Sequence, residues 1–245
     1  MSNSGKKIAV VTGAGGGIGS AIARKLAEKG YLVACTDRDN ESVSRISSSI
    51  PESAHFVCDI SKESEVEKLR DDVVAKFGTP TLLVNAAGIF YEHDFLTTTE
   101  ATFDEMIDVN LKGTFFTCKA FMPGFIELGG GGIINISSTA GLNASSTRPI
   151  YSVAKAGVIM LTRSITADYG TKGIRANVIC PGLIDTPMAN WIKSQPEKLK
   201  KWEEGMPAQR IGTVDDIANM VVFLASDESS YMHGSVVVVD GGGLA

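Results

Sequence analysis

Three side chains suited to moving a proton lie close together in the sequence: Ser138, Tyr151 and Lys155, the last two in the run Tyr-Ser-Val-Ala-Lys. A helix over 151 to 165 puts the phenol and the ammonium on one face, about 6 Å apart along the axis. A free tyrosine titrates near pH ~10, so acid–base work near neutrality means favouring the phenolate by roughly 3 units, or ~4 kcal/mol. A neighbouring ammonium supplies a bias of that kind. The Ser138 hydroxyl can hold the oxygen of an alcohol or carbonyl while Tyr151 moves the proton. None of the three can accept a hydride. Alone, Tyr-x-x-x-Lys is usually an ordinary amphipathic helix pair, so its surroundings decide.

The elements that must position these residues begin near the N-terminus. A short apolar run, Ile8-Ala-Val-Val-Thr12, leads into Gly13-Ala-Gly-Gly-Gly-Ile-Gly19 and then into the helix-forming Ser20-Ala-Ile-Ala-Arg-Lys-Leu-Ala-Glu. Strand, glycine turn and helix in that order let backbone approach a ligand closely and aim unpaired N–H groups and a positive dipole end at a phosphate. The expected ligand is a dinucleotide pyrophosphate. A second strand, Tyr31-Leu-Val-Ala-Cys-Thr, ends at Asp37. An acid there can accept hydrogen bonds from an adenosine ribose and repels a 2′-phosphate, which favours NAD over NADP. Arg38 follows and could clasp a phosphate, and Asp37 could also be a solvated turn acid.

Periodicity gives seven strands, at about 7–12, 31–36, 54–58, 81–85, 132–137, 174–180 and 235–239, with helices filling most intervals. The alternation predicts an α/β fold, a parallel sheet with helices on both faces, whose ligands bind beyond the carboxyl ends of the strands. Thr12, Asp37, Asp59, Asn85, Ser137 and Cys180 all fall at or just past such ends. No linker or low-complexity stretch marks a second domain.

These segments together resemble the short-chain dehydrogenase/reductase family over nearly the whole chain. Thr12-Gly-Ala-Gly-Gly-Gly-Ile-Gly19 is similar to its cofactor loop, with Gly13, Gly16, Gly17, Ile18 and Gly19 as contacts. Asn85-Ala-Ala-Gly88 is similar to its Asn-Asn-Ala-Gly segment with the second position changed to Ala86. Asn110 stands at the place of the family's fourth catalytic residue. Ser138 precedes Tyr151 by the customary thirteen positions, with Ser137 as a less well spaced competitor. Pro181-Gly182-Leu-Ile184-Asp-Thr186 resembles the segment that contacts the nicotinamide carboxamide, and Asp59 with Ile60 resembles the adenine contact.

The resemblance implies a doubly wound, seven-stranded Rossmann fold in a single domain, 1–245. It also implies an NAD-dependent oxidoreductase that interconverts a secondary alcohol and a ketone. Tyr151 would be the general acid/base, Lys155 would lower its pKa and hold the nicotinamide ribose, Ser138 would position the substrate oxygen, and Asn110 would support a proton relay through water. Residues 186–212 would cap the substrate. The alternatives are an NADPH-dependent 3-ketoacyl-thioester reductase, against which Asp37 counts, and a cofactor-binding module without turnover, against which the intact tetrad counts.

Composition bounds the rest. The 245 residues are 44% hydrophobic and 21% charged, enough for one substantial core. A formal net charge of −5 and the lack of a basic patch argue against nucleic-acid or anionic-membrane partners. No apolar run approaches the ~20 residues that span a bilayer. The apolar stretch after Lys6 and Lys7 is interrupted by Gly13, too early for a signal-peptide core. Cys35, Cys58, Cys118 and Cys180 show no metal-ligand spacing and fit buried thiols in a reducing cytoplasm. His55, His93 and His233 are widely separated, so no metal site is expected, although His93 lies in a loop that could approach substrate.

Arg148 and Lys193 are cations placed to face an anionic group on a substrate, unless both are solvated. The β-branched run at 235–239 suits a strand buried on both faces or beside a partner subunit. A homo-oligomer is expected, and the family resemblance makes it a homotetramer paired through helices at 104–128 and 151–170.

Overall fold

Continuous apolar runs become strands whose every residue is buried: all of Ile8–Thr12 (β1) and all of Leu82–Asn85 (β4) lie inside. Such runs survive only where helices cover both faces of a sheet. In the computed structural model, which describes residues 5–144 and 146–245, they belong to one parallel sheet. Its other strands are Leu32–Asp37 (β2), Ser53–Val57 (β3), Gly131–Ile136 (β5), Ile174–Pro181 (β6) and Val236–Val239 (β7). The order is β3-β2-β1-β4-β5-β6-β7. Every expected strand is present, with ends shifted by one residue at most.

Side chains alternate across β1, so Ala9 and Val11 enter one core and Val10 the other. The first core receives Ile22 and Leu26 from α1 (Gly17–Glu28), Val43 and Ile46 from α2 (Asn40–Ser48), and Ile217 and Val221 from α9 (Val214–Ala225). The second receives Val66, Leu69 and Val73 from α3 (Glu63–Phe77), Phe121 and Phe125 from α5 (Gly113–Glu127), and Ile165 from α6 (Pro149–Tyr169). Burying one such Leu, Ile or Phe contributes about 1.5–3 kcal/mol, so the two layers hold the sheet rigidly under its loops.

Strand order reverses between β1 and β4, which opens a crevice at their carboxyl ends. Register aligns polar residues there: Thr12 pairs with Thr36 on one side and Asn85 on the other, and Asn85 pairs with Asn135.

Two elements differ from the sequence expectation. The helix expected over 104–128 is divided into α4 (Glu100–Ile107) and α5 by a π-helical turn, Asp108–Lys112, centred on Asn110. β7 is an edge strand paired only with β6, and Val238 is 42% exposed rather than covered on both faces. The segment after β6 forms two short helices, α7 (Asn190–Lys193) and α8 (Pro196–Glu204). Among the described residues no helix is long and apolar enough to cross a membrane, and no group of His, Cys, Asp and Glu could hold a metal ion.

Candidate active site

Two adjoining cavities of about 390 and 310 Å³ occupy the crevice, and both are walled by Ile18, Ala86, Gly88, Thr186 and Met188. The smaller is walled by the Gly13–Gly19 turn together with Asp37, Arg38, Asp59 and Ile60. Gly13 sits at φ +68, and a Cβ there would lie 2.8 Å from the Ala87 backbone; a Cβ on Gly19 would lie 2.1 Å from the Gly13 carbonyl oxygen. Only glycine allows the turn to close on itself at these two places. No side chain caps α1, and no acid stands in its first turn, so its leading N–H groups face the cavity without a protein anion. That donor set fits a pyrophosphate.

Asp37 ends β2 at the same wall, accepting from the Gly15 N–H at 3.0 Å and the Asp39 N–H at 3.1 Å. Arg38, exposed, is next to it, and Asp59 and Ile60 line the far end. The Asp59 carboxylate accepts from the Ser61 N–H and hydroxyl, which lowers its pKa against the opposing effect of burial.

The larger cavity is built of side chains. Ser138, Tyr151 and Lys155 meet in it, with Pro181, Gly182, Ile184 and Thr186 across from them. Helix α6 starts at Pro149, whose missing N–H and fixed φ suit a first helical position, and so carries Tyr151 and Lys155 one turn apart. Lys155 Nζ lies 5.6 Å from the centre of the Tyr151 ring and donates to the Ile136 carbonyl at 3.1 Å. Ser137 and Ser138 are separated by their partners. The Ser137 hydroxyl donates to the Lys155 carbonyl at 2.7 Å, whereas Ser138 Oγ accepts from Ala140 N–H and keeps its own proton available to the cavity.

Burial shifts both titratable groups. It raises the Tyr151 phenol above the ordinary tyrosine value, against the smaller opposing effects of the Ser138 hydroxyl and the Arg148 charge. It pulls Lys155 down to about 8, with a small opposing contribution from Cys180. Burial thus disfavours charge on both groups, which opposes the lowering of the phenol that the resemblance implies for Lys155.

Asn110 is fully buried in its π-helical turn. Its amide accepts from the Ile89 N–H at 3.1 Å and donates to the Ile89 and Met106 carbonyls at 3.0 Å. It thereby clamps the loop after β4: a Cβ on Gly88 would meet Asn110 Oδ1 at 2.7 Å and Lys155 Nζ at 3.3 Å.

Three candidates line neither cavity: Asn110, Asn85 and Lys193. The Asn85 side chain donates to Asn135 Oδ1 at 2.9 Å and accepts from the Thr117 hydroxyl at 2.8 Å, tying β4 to β5 and α5 below the site. Lys193 pairs with Asp185. Arg148, by contrast, enters the larger cavity. His93 lines neither cavity, and its backbone N–H supports the Thr147 carbonyl at 2.9 Å. The four cysteines are buried, and burial pushes Cys58 and Cys118 up to about 12 and Cys35 to about 11, which leaves them protonated.

Phe90, Trp202, Met206, Asp240 and Leu244 also line the larger cavity and were not singled out from sequence. Only Asp240 carried a usable signal, since it lies one residue past the carboxyl end of β7.

The family model described as Enoyl-(Acyl carrier protein) reductase matches residues 13–243. A 2-(R)-hydroxypropyl-CoM dehydrogenase from Xanthobacter autotrophicus is 35% identical, over 96% of this chain and 97% of that protein. A 3-oxoacyl-(acyl-carrier-protein) reductase from Staphylococcus epidermidis is 36% identical, over 96% of this chain and 98% of its own. Among solved structures, an actinorhodin polyketide ketoreductase variant with NADPH superposes with a TM-score of 0.93 at 28% identity, covering 99% of this chain and 98% of that one.

Proposed function

The chain belongs to the short-chain dehydrogenase/reductase family, and we propose that it oxidises a secondary alcohol to a ketone with NAD⁺ as hydride acceptor. It is an oxidoreductase of CH–OH groups that uses a nicotinamide cofactor. The observation that carries the reading is the meeting of a glycine-built anion cradle and a side-chain cavity at Ser138, Tyr151 and Lys155.

The Gly13–Gly19 turn, Asp37, Asp59, Ile60, Ala86, Gly88 and the 181–186 segment would hold the cofactor, which would supply the hydride acceptor. The protein's residues do the proton chemistry. Ser138 donates its hydroxyl hydrogen bond to the substrate oxygen. Tyr151 removes the alcohol proton as the carbinol hydrogen leaves with its electron pair, so one proton and one hydride depart and a carbonyl remains. Lys155 stands behind the phenol, and Asn110 holds Gly88 and the Lys155 end of the site in register. Residues 186–212 cap the substrate.

Asp37 supports NAD over NADP, because its carboxylate lines the cradle and would disfavour a second anion beside it. Ketoacyl-thioester reduction is the second reading, favoured by the 36% identical 3-oxoacyl reductase. A homotetramer is supported by the exposed Phe103, Phe115, Val153 and Met160 on α4, α5 and α6, and a cytoplasmic location by the four unpaired, buried thiols.

The test is the rate of reduced-cofactor formation with NAD⁺ and with NADP⁺ over a panel of secondary alcohols. The account expects kcat/KM to favour NAD⁺ by ~10-fold or more, and Asp37→Ala to narrow that ratio. A wild-type preference for NADP⁺ contradicts the Asp37 argument and moves the reading toward the ketoacyl reductase.

A further inference from the structure

We propose that Arg148 binds an anionic group on the substrate, so that the alcohol oxidised here carries a carboxylate or sulfonate a few bonds from its hydroxyl. The inference rests on the dehydrogenase reading and adds the class of substrate.

Arg148 opens into the cavity that holds Ser138 and Tyr151, and it does not line the glycine cradle, so its charge is not spent on the cofactor's phosphates. Its guanidinium carbon lies 5.7 Å from the centre of the Phe90 ring and 5.3 Å from that of Trp191. Phe90 in turn packs edge to face on Tyr151, 5.2 Å between ring centres. One aromatic ring therefore separates the cation from the proton-transferring phenol. Stacking engages the faces of a guanidinium and leaves its in-plane N–H fork free, the part that matches a planar carboxylate or a sulfonate bidentately.

Among the described residues that fork has no hydrogen-bond partner. Among the described residues no carboxylate forms an ion pair with Arg148, and its Nε is buried without a hydrogen-bond acceptor. A buried, unpaired N–H on a permanent cation is unfavourable unless a ligand completes it. The backbone leading into it is strained as well. Thr147, a β-branched residue, lies in the left-handed region at φ 64, held there by the His93 N–H on its carbonyl and by its own hydroxyl on Glu92 at 3.1 Å. Strain of this kind persists where surrounding structure imposes it, and it is concentrated at ligand clamps. Lys193 already has Asp185 as its partner, and Lys198, 5.6 Å from the centre of the Trp191 ring, does not line the cavity. Leu183, Met188 and Met206 line the same cavity and supply apolar surface for a short hydrocarbon link between hydroxyl and anion.

The experiment compares isosteric pairs, 3-hydroxybutyrate with 4-methylpentan-2-ol and 2-hydroxypropane-1-sulfonate with its nearest neutral alcohol, on wild type, Arg148→Met, Arg148→Lys and Lys193→Met. The expected result is a ~10- to 100-fold higher kcat/KM for an anionic member in the wild type. Arg148→Met should abolish that preference, lowering kcat/KM for the anionic member far more than for the neutral one, Arg148→Lys should retain part of it, and Lys193→Met should leave it intact. Which anion is preferred distinguishes a hydroxy acid from a hydroxyalkane sulfonate.

Equal kcat/KM for the anionic and neutral members in wild type overturns the inference while leaving the dehydrogenase reading standing. So does an equal loss on both members in Arg148→Met. Binding is measured separately, as quenching of tryptophan fluorescence on titration with butyrate or propane-1-sulfonate in the presence of NAD⁺. Saturable quenching in wild type that vanishes in Arg148→Met supports the anion site even if none of these alcohols is oxidised, and identical titrations in the two proteins refute it.

Discussion

The two halves of the crevice are made of different material. The cradle at the ends of β1 and β2 turns on Gly13 and Gly19, where any Cβ would collide with neighbouring backbone. The cavity beyond β5 is side chain, assembled from Phe90, Ser138, Arg148, Tyr151, Trp191 and the C-terminal Leu244, which lie in widely separated segments. The first half is constrained by sterics at its glycines, and its donor set fits a pyrophosphate. The second is shaped by side chains that segments far apart in the chain bring together.

Substitutions that treat the halves differently test this contrast. Gly19→Ala is the most damaging expected change, because its Cβ would sit 2.1 Å from the Gly13 carbonyl oxygen and the turn must open. Stability should fall by about 3 kcal/mol or more, measured by urea unfolding, with NAD⁺ affinity lost alongside it.

Lys155→Met should do the opposite to stability while removing turnover. The ammonium of Lys155 has a folded value near 8 against an ordinary 10.5, so between those pH values the unfolded chain binds more protons. The penalty for burying the charge is therefore complete below pH 8 and disappears as pH rises toward 10.5. Allowing for the lost hydrogen bond to the Ile136 carbonyl, the variant should be more stable by ~2 kcal/mol at pH 7, and this advantage should shrink in unfolding curves taken at pH 10.

Gly16→Ala should have the smallest structural effect, since Gly16 is extended at φ −174 and a Cβ there meets nothing within 4 Å. Because Gly16 lines the cradle, NAD⁺ affinity should drop ~10-fold while Tm stays unchanged. Wild-type affinity in this variant would show that the cradle wall does not face the ligand.

The same division explains what the sequence made legible. Strands buried on both faces read as apolar runs, so their ends were placed to within a residue, and the residues just past those ends pointed at the site. Glycines that cannot be anything else marked the cradle. Ser138 was separated from Ser137 by spacing, although the physical reason, the Ser137 hydroxyl bonded to the Lys155 carbonyl, emerged only from the fold. Asn85 lies at a strand end like the others, yet its side chain turns inward to Asn135, and strand position alone cannot say which way a side chain points. The π-helical turn at Asn110 has no propensity signature, because an i→i+5 bond uses the same residues as a helix. The Arg148, Phe90 and Trp191 stack joins three segments that periodicity treats separately, so only the cation was noticed.

The measurement that tests the central claim most directly is a paired assay on wild type and Tyr151→Phe: NAD⁺ binding by titration calorimetry, and alcohol-dependent formation of reduced cofactor by absorbance. The account predicts that NAD⁺ binds both proteins with similar affinity, while turnover falls by ~10²–10⁴-fold without the phenol. Turnover in Tyr151→Phe within a few-fold of wild type would contradict it, because the proton would then leave by a route that does not pass through Tyr151.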